Sequence, residues 1–286
     1  MPKQTTPILL AALSLLSFDH RCHAASSTPT TAPSSQFWRF EELKRFPAPE
    51  ATQGVAADNN FFYAIGTRSL GKYNKETGQR VAAWTSPDGS SFKHLNAGIV
   101  LNGLLYCAHS NFPNQPPASS VEIWDTNTMQ HVATHSFGRF EGSLTWIDRF
   151  HDNHWIACFA HYAKEGSQPG NPALTQVVEF DSEWRQVGGW IFPEKLITQF
   201  ASHSASGGAF GPHGFLFVTG HDAQELYVLS IPDAGPILQW RDTIPITAQG
   251  QSFAWDPVQP GIFYSVSRKT HEVIQSRISL ISPEKK

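Results

Sequence analysis

Short apolar stretches with strand-like alternation recur along this chain in groups of four, and the groups resemble one another. The first group runs through Gln53-Gly-Val-Ala-Ala-Asp58, Phe61-Phe-Tyr-Ala-Ile-Gly66, Gly71-Lys-Tyr-Asn-Lys-Glu-Thr-Gly78 and Arg80-Val-Ala-Ala-Trp84. Similar groups follow over residues 96–137, 142–192 and 206–240, and a fifth over 251–278 stops after three strands. The copies are roughly 41 to 60 residues long, the range of known strand-built repeats. One such unit cannot bury its apolar faces alone, so the copies must stack on one another.

The fifth group lacks its last strand, and the missing piece lies at the other end of the chain. Residues 37–47 (Phe-Trp-Arg-Phe-Glu-Glu-Leu-Lys-Arg-Phe-Pro) alternate like a strand and lead directly into the first group, as every other fourth strand leads into the next. A strand from one terminus that completes a unit at the other closes a ring and removes open sheet edges. The pattern predicts an all-β, five-bladed β-propeller over residues 37–280, closed by an N-terminal outer strand. A β-sandwich would explain neither the likeness of the copies nor the complementary ends. The turn segments Tyr73-Asn-Lys-Glu-Thr-Gly78 and Ile123-Trp-Asp-Thr-Asn-Thr128 resemble the outer hairpins of WD-repeat, NHL and surface-layer (YVTN-type) propellers. That resemblance spans about residues 37–280 and implies a fold, not an activity. Neither a WD-repeat nor a kelch signature holds across the copies.

Composition agrees with a turn-rich β protein: 20 Phe, 9 Trp, 21 Gly and 20 Pro, with 16% charged residues. A net charge of −3 gives no sign of the basic face that a nucleic-acid partner requires, and none is expected. Lys3, the apolar run over residues 7–18 and the small residues near Ala24 and Ala25 form a secretory signal pattern. The run is short for a membrane span. The expected organisation is therefore a signal peptide over 1–25, a Pro/Ser/Thr linker over 26–36, the propeller, and a tail over 281–286. The expected product is a secreted or periplasmic monomer with no membrane span after cleavage. Cys107 and Cys158 occupy equivalent strands; whether they pair stays open, with two buried thiols favoured.

In a ring of blades, the starts of the first strands and the ends of the second strands open on the same face. This selects Gln53, His94, Asn96, Glu141, Ser143, residues 203–206 and Gln251 from the first set. The second set holds Arg68, His109, Asn111, His161, Tyr162, His221, Asp222 and Arg268. His109, His161 and His221 each end a second strand, 52 and 60 residues apart. They are the candidate catalytic residues, with Tyr162; Arg68, Asn96, Asn111, Gln251 and Arg268 are the candidate substrate-binding residues.

Two chemistries fit that set. In one, His109, His161 and His221, joined by His94 and completed by Glu141 or Gln251, hold a divalent transition metal such as Zn, Mn or Fe. By analogy this resembles the axial histidines of carotenoid-cleaving oxygenases and oligogalacturonate lyases. In the other, histidines serve as general base and acid near neutral pH. Arg68 and Arg268 then fork a carboxylate; Asp222 belongs to the metal reading, as a carboxylate behind the ligands that orients His221. Either reading gives a lyase, isomerase or hydrolase acting on a small anionic or carbohydrate ligand such as a sugar acid. The competing reading is a non-catalytic propeller that binds a ligand or protein, its histidines inherited by duplication. His131, His135, His151, His154 and His271 fall in turns or outer strands and are expected to face solvent.

Overall fold

The computed structural model describes residues 37–139, 142–165 and 168–281. The expected signal and linker, Glu141 and most of the tail lie outside them. The chain opens with β1 (Trp38–Pro47) and then builds a first sheet from β2 (Gly54–Ala57), β3 (Phe61–Gly66), β4 (Ser69–Asn74) and β5 (Arg80–Thr85). The second sheet comprises β6 (His94–Leu101), β7 (Leu104–Ser110), β8 (Ser119–Asp125) and β9 (His131–Gly138). The third begins with β10 (Ser143–Arg149) and β11 (Trp155–Ala160). A small hairpin, β12 (Lys164–Glu165) and β13 (Gln168–Pro169), precedes its outer strands β14 (Gln176–Phe180) and β15 (Gln186–Ile191). A short helix, α1 (Glu194–Phe200), leads to the fourth sheet: β16 (Gly207–Phe210), β17 (Leu216–Thr219), β18 (Glu225–Ser230) and β19 (Gln239–Pro245). The fifth holds β20 (Ala254–Trp255), β21 (Ile262–Ser267) and β22 (Glu272–Leu280).

All five sheets are four-stranded meanders, and the fifth is completed by β1 in the order β1-β22-β21-β20. β1 runs antiparallel to β22 from the pair Trp38↔Leu280 to Pro47↔Glu272. This is the predicted five-bladed propeller with its N-terminal closure. The inner strands touch in ring order, β2 against β6, β6 against β10, β10 against β16, and β20 against β2.

The side-chain period of two explains how the blades stack. Successive residues of a strand face opposite sides of its sheet, and here both sides are covered by neighbouring blades. Phe62 and Ala64 of β3 pack towards the fifth blade, in a cluster with Tyr264 and Val266. Tyr63 and Ile65, between and beyond them, pack towards the second blade with Leu105 and Cys107. The core is therefore five separate apolar seams, one per blade interface, rather than one central mass. Cys107 and Cys158 are free and buried in different seams.

Two features depart from the sequence reading. Residues 194–200 are helical, bury Leu196 and Phe200, and fill the seam between the third and fourth blades. The fourth blade's outer strand starts at Gln239, a few residues later than the repeat at residue 236 suggested. Pro236 instead uses its carbonyl to accept a bond from Ile191 N (2.8 Å), tying the two blades' edges together.

Candidate functional site

Every inner strand delivers its first residues to one end of the axis and its last residues to the other. Gln53, His94, Asn96, Thr145, Ser206 and Gln251 line a cavity of about 280 Å³ at the first end. Ala57, Leu101, Asp148, Phe210 and Trp255 line a separate cavity of about 240 Å³ at the second. Between them Ser252 wedges against two glycines. A Cβ at Gly54 would come within 2.8 Å of the Ser252 Cβ, and one at Gly207 within 2.6 Å of its Cα. The first end is the more polar, and it gathers most of the titratable groups that the ring argument selected.

His221 is the best-defined of these. Arg268 Nη1 donates to its Nε2 at 2.8 Å. A guanidinium is only a donor, so Nε2 carries the lone pair and Nδ1 the proton. Nδ1–H accordingly donates to Asp222 Oδ1 at 2.6 Å. This Asp222–His221–Arg268 chain fixes a neutral tautomer. Burial depresses the His221 pKa, with Asp222 opposing it and His203 and Arg268 adding to it. The His203 ring lies 4.3 Å from the His221 ring, and its Nδ1 is 3.7 Å from Asp222 Oδ2.

His94 faces the same space from the start of β6. Burial, then the nearby His109 and Arg268, lower its pKa to about 4 against a hydrogen bond that its ring donates to the Asn96 side chain. Its ring meets Phe112 with 5.2 Å between centroids, within the range of aromatic contacts. Phe112 in turn meets Tyr162 edge-on at 5.0 Å. Asn96 spends Nδ2 on Leu144 O, at 3.1 Å, across to the third blade. Gln251 is 3% exposed, its Nε2 is buried without a hydrogen-bond partner, and its φ is +63°. That left-handed backbone is uncommon for a side-chain-bearing residue and marks local strain. Thr219 Oγ1 holds it by donating to Gln251 O at 2.5 Å. The preceding Gly250 is needed because a Cβ there would collide with the His221 carbonyl.

The remaining expected site residues are placed elsewhere. His109 lies within β7 on the face of Leu105 and Cys107, looking into the seam with the first blade. Lys93 N donates to its Nε2 at 3.0 Å, and Nδ1 meets Ser120 Oγ at 2.8 Å. Both ring nitrogens are used, and Ser120 passes the chain on to Glu122 at 2.6 Å. His161 shares the side of Ala157 and Phe159, which face the second blade. It is buried against Gly142, where a Cβ would come within 3.1 Å of its Nε2. His221 has the opposite parity: Leu216 and Val218 face the third blade, Phe217 the fifth. The three histidines are thus not equivalent. Two enter seams between blades, and one reaches the axis.

Arg68 turns outward, donating to Ser86 Oγ (2.9 Å) and Pro87 O (3.2 Å). Asn111 braces its own loop, donating to Pro116 O at 3.0 Å and accepting from Ala118 N at 2.9 Å. That brace delivers the neighbouring Phe112 to the cavity wall. The proposed metal set is not assembled. Among the described residues, the groups of ligand atoms within 4.8 Å of one another are His203–His221–Asp222 and His151–His154–Glu179, and neither contains His94, His109 or His161.

No family model matches the chain, and no curated protein matches it by sequence. Solved structures do resemble it. A luciferin-regenerating enzyme matches with a TM-score of 0.51 at 11% identity, over 85% of this chain and 95% of that one. A gluconolactonase from Xanthomonas campestris matches with a TM-score of 0.50 at 10% identity, over 85% of this chain and 90% of that one. A WD40 domain of Toxoplasma gondii coronin follows at 0.42 and 12% identity, over 89% of each chain. At such identities the likeness concerns the fold. Among the described residues no helix is long and apolar enough to cross a membrane.

Proposed function

We propose that this propeller is a secreted or periplasmic enzyme that binds a small carboxylate-bearing substrate, of the sugar-acid class, in the polar axial cavity. The observation that carries the reading is the Asp222–His221–Arg268 chain at that cavity. A carboxylate recruiting the Arg268 guanidinium forms a charge-assisted pair and releases the His221 Nε2 lone pair. Asp222 already holds Nδ1–H, the arrangement that orients an imidazole as general base. His221 then takes a proton from the carbon beside the carboxylate or from a water, which covers lyase, isomerase and hydrolase outcomes. His94, with a pKa near 4, is neutral at pH 7 and serves as a hydrogen-bonding group rather than a proton donor. Gln251 supplies a buried amide without a partner for a substrate oxygen. Tyr162 and Phe112 provide an aromatic wall. Arg268 argues for chemistry without a metal at His221, because its permanent charge repels a cation there. The signal pattern around residues 3–25 supports export.

Calorimetry with glucuronate, gluconate and neutral glucose tests this. The acids bind and glucose does not, and Arg268→Ala weakens acid binding by about tenfold or more. Equal binding of glucose, or unaltered acid binding in the variant, overturns the reading. Acid binding without turnover across a panel of uronates and aldonolactones would leave the alternative of a carrier of such acids.

A further inference from the structure

The second histidine–carboxylate cluster lies on the opposite face of the ring. His151 and His154 bracket a three-residue 3-10 turn that joins β10 to β11. The turn closes on itself through His154 N to His151 O and Phe150 N to His154 O, both 2.9 Å. Its compactness brings both imidazoles to one side, with ring centroids 5.6 Å apart. Glu179 comes from β14, where it pairs with Ile156. His154, two residues before Ile156, is its diagonal neighbour on the same face. His154 Nδ1 lies 2.6 Å from Glu179 Oε1. Across the sheet Glu179 pairs with Gly188, and a Cβ there would come within 3.2 Å of Glu179 Oε2. The carboxylate is therefore flanked by a residue without a side chain.

We propose that His151, His154 and Glu179 form a zinc-binding site. One ligand atom from each lies within 4.8 Å of the others. Zinc takes imidazole nitrogen and carboxylate oxygen at about 2.0–2.2 Å, so small side-chain rotations gather the three around one ion. Two imidazoles and a carboxylate are a borderline donor set that suits zinc better than calcium or magnesium, which want oxygen ligands. A His154–Glu179 hydrogen bond alone accounts for two of the residues. The turn carries the second imidazole, that of His151, to the same carboxylate. All three ligands come from one blade, and two lie on paired strands or their immediate ends, so the site is rigid. It leaves a coordination position open to solvent, since His151 is exposed and His154 and Glu179 are partly so.

This site is independent of the axial cavity, and so is its test. Purified, chelator-dialysed protein is titrated with zinc chloride by calorimetry and with a chromogenic zinc competitor. The wild type takes up zinc at one equivalent assignable to this cluster. The doubly substituted His151→Ala, His154→Ala protein loses that equivalent, with binding weaker by about tenfold or more. Glu179→Gln, which keeps the side-chain volume, weakens it as well. His203→Ala, His221→Ala retains it, which separates the cluster from the axial histidines. Wild-type protein that takes up no zinc overturns the proposal. So does zinc binding that survives in the His151→Ala, His154→Ala protein while circular dichroism shows both proteins folded.

Discussion

The two ends of the propeller axis are built by the same five strands and differ in almost everything else. The end where these strands start is lined by His94, Asn96, His221, Gln251 and Arg268. The end where they finish is lined by Ile99, Leu101, Ile147, Phe253 and Trp255, with Asp148 among them. Asp148 is spent on structure: it accepts from Phe210 N and Arg149 N, each at 2.7 Å. The first bond ties the third blade to the fourth. Burial of Asp148 raises its pKa to about 7. The contrast shows how one fold places apolar packing at one end of its axis and polar groups at the other. Strand ends meet apolar neighbours, and strand starts meet loops that bring His221 and Arg268 to the axis.

The largest expected consequence concerns turnover. His221→Ala removes the base and lowers kcat by about 10²- to 10⁴-fold, while acid binding through Arg268 persists; steady-state and binding measurements on one preparation check this. Loss of binding with no loss of turnover would assign the base elsewhere.

Next come opposite pH dependences at the two ends. His94 has a folded pKa near 4, below its ordinary value near 6.5. The unfolded chain therefore binds more protons over that window, and stability falls as pH drops through it. Asp148, at about 7 when folded, does the reverse, and stability falls as pH rises from about 4 to 7. Each contribution is on the order of 3–4 kcal/mol. They offset in the wild type. Asp148→Asn exposes the rise of stability with pH, and His94→Gln exposes the fall. Denaturant midpoints relative to wild type between pH 4 and 7 check both, and equal slopes in the two variants would contradict the burial argument.

Arg268→Ala has a smaller expected effect, a roughly ten- to hundredfold loss of acid affinity that added salt partly mimics in the wild type. Arg68→Ala is the smallest. Its guanidinium faces Ser86 and Pro87 on the surface, so affinity is unchanged and stability moves by about 0.5 kcal/mol or less.

Much of the architecture was legible in the sequence. The period-two pattern and the repeat located the blades, and the unmatched outer strand at residues 37–47 identified the closure. Tertiary packing hid the helix at residues 194–200, whose Leu196 and Phe200 fill a seam that no local pattern announces. The site was only half legible. Spacing suggested that His109, His161 and His221 were equivalent, but spacing in a repeat does not report parity. Counted from residues that face the preceding blade, His109 is four beyond Leu105 and His161 four beyond Ala157, both even. His221 is three beyond Val218, an odd step that turns it to the other side. Arg68 and Arg268 also occupy matching positions, yet Ser86 captures one and His221 the other. Those partners belong to separate loops, which strand periodicity does not place.

The most direct test of the axial site is the protonation state of its histidines, read from imidazole 15N chemical shifts with and without glucuronate at pH 7. The account predicts a neutral His221 with its proton on Nδ1. Its Nε2 resonance moves on addition of the acid, while His109, bonded at both nitrogens inside a seam, does not respond. A doubly protonated His221, or resonances of both histidines that ignore the acid, would contradict it.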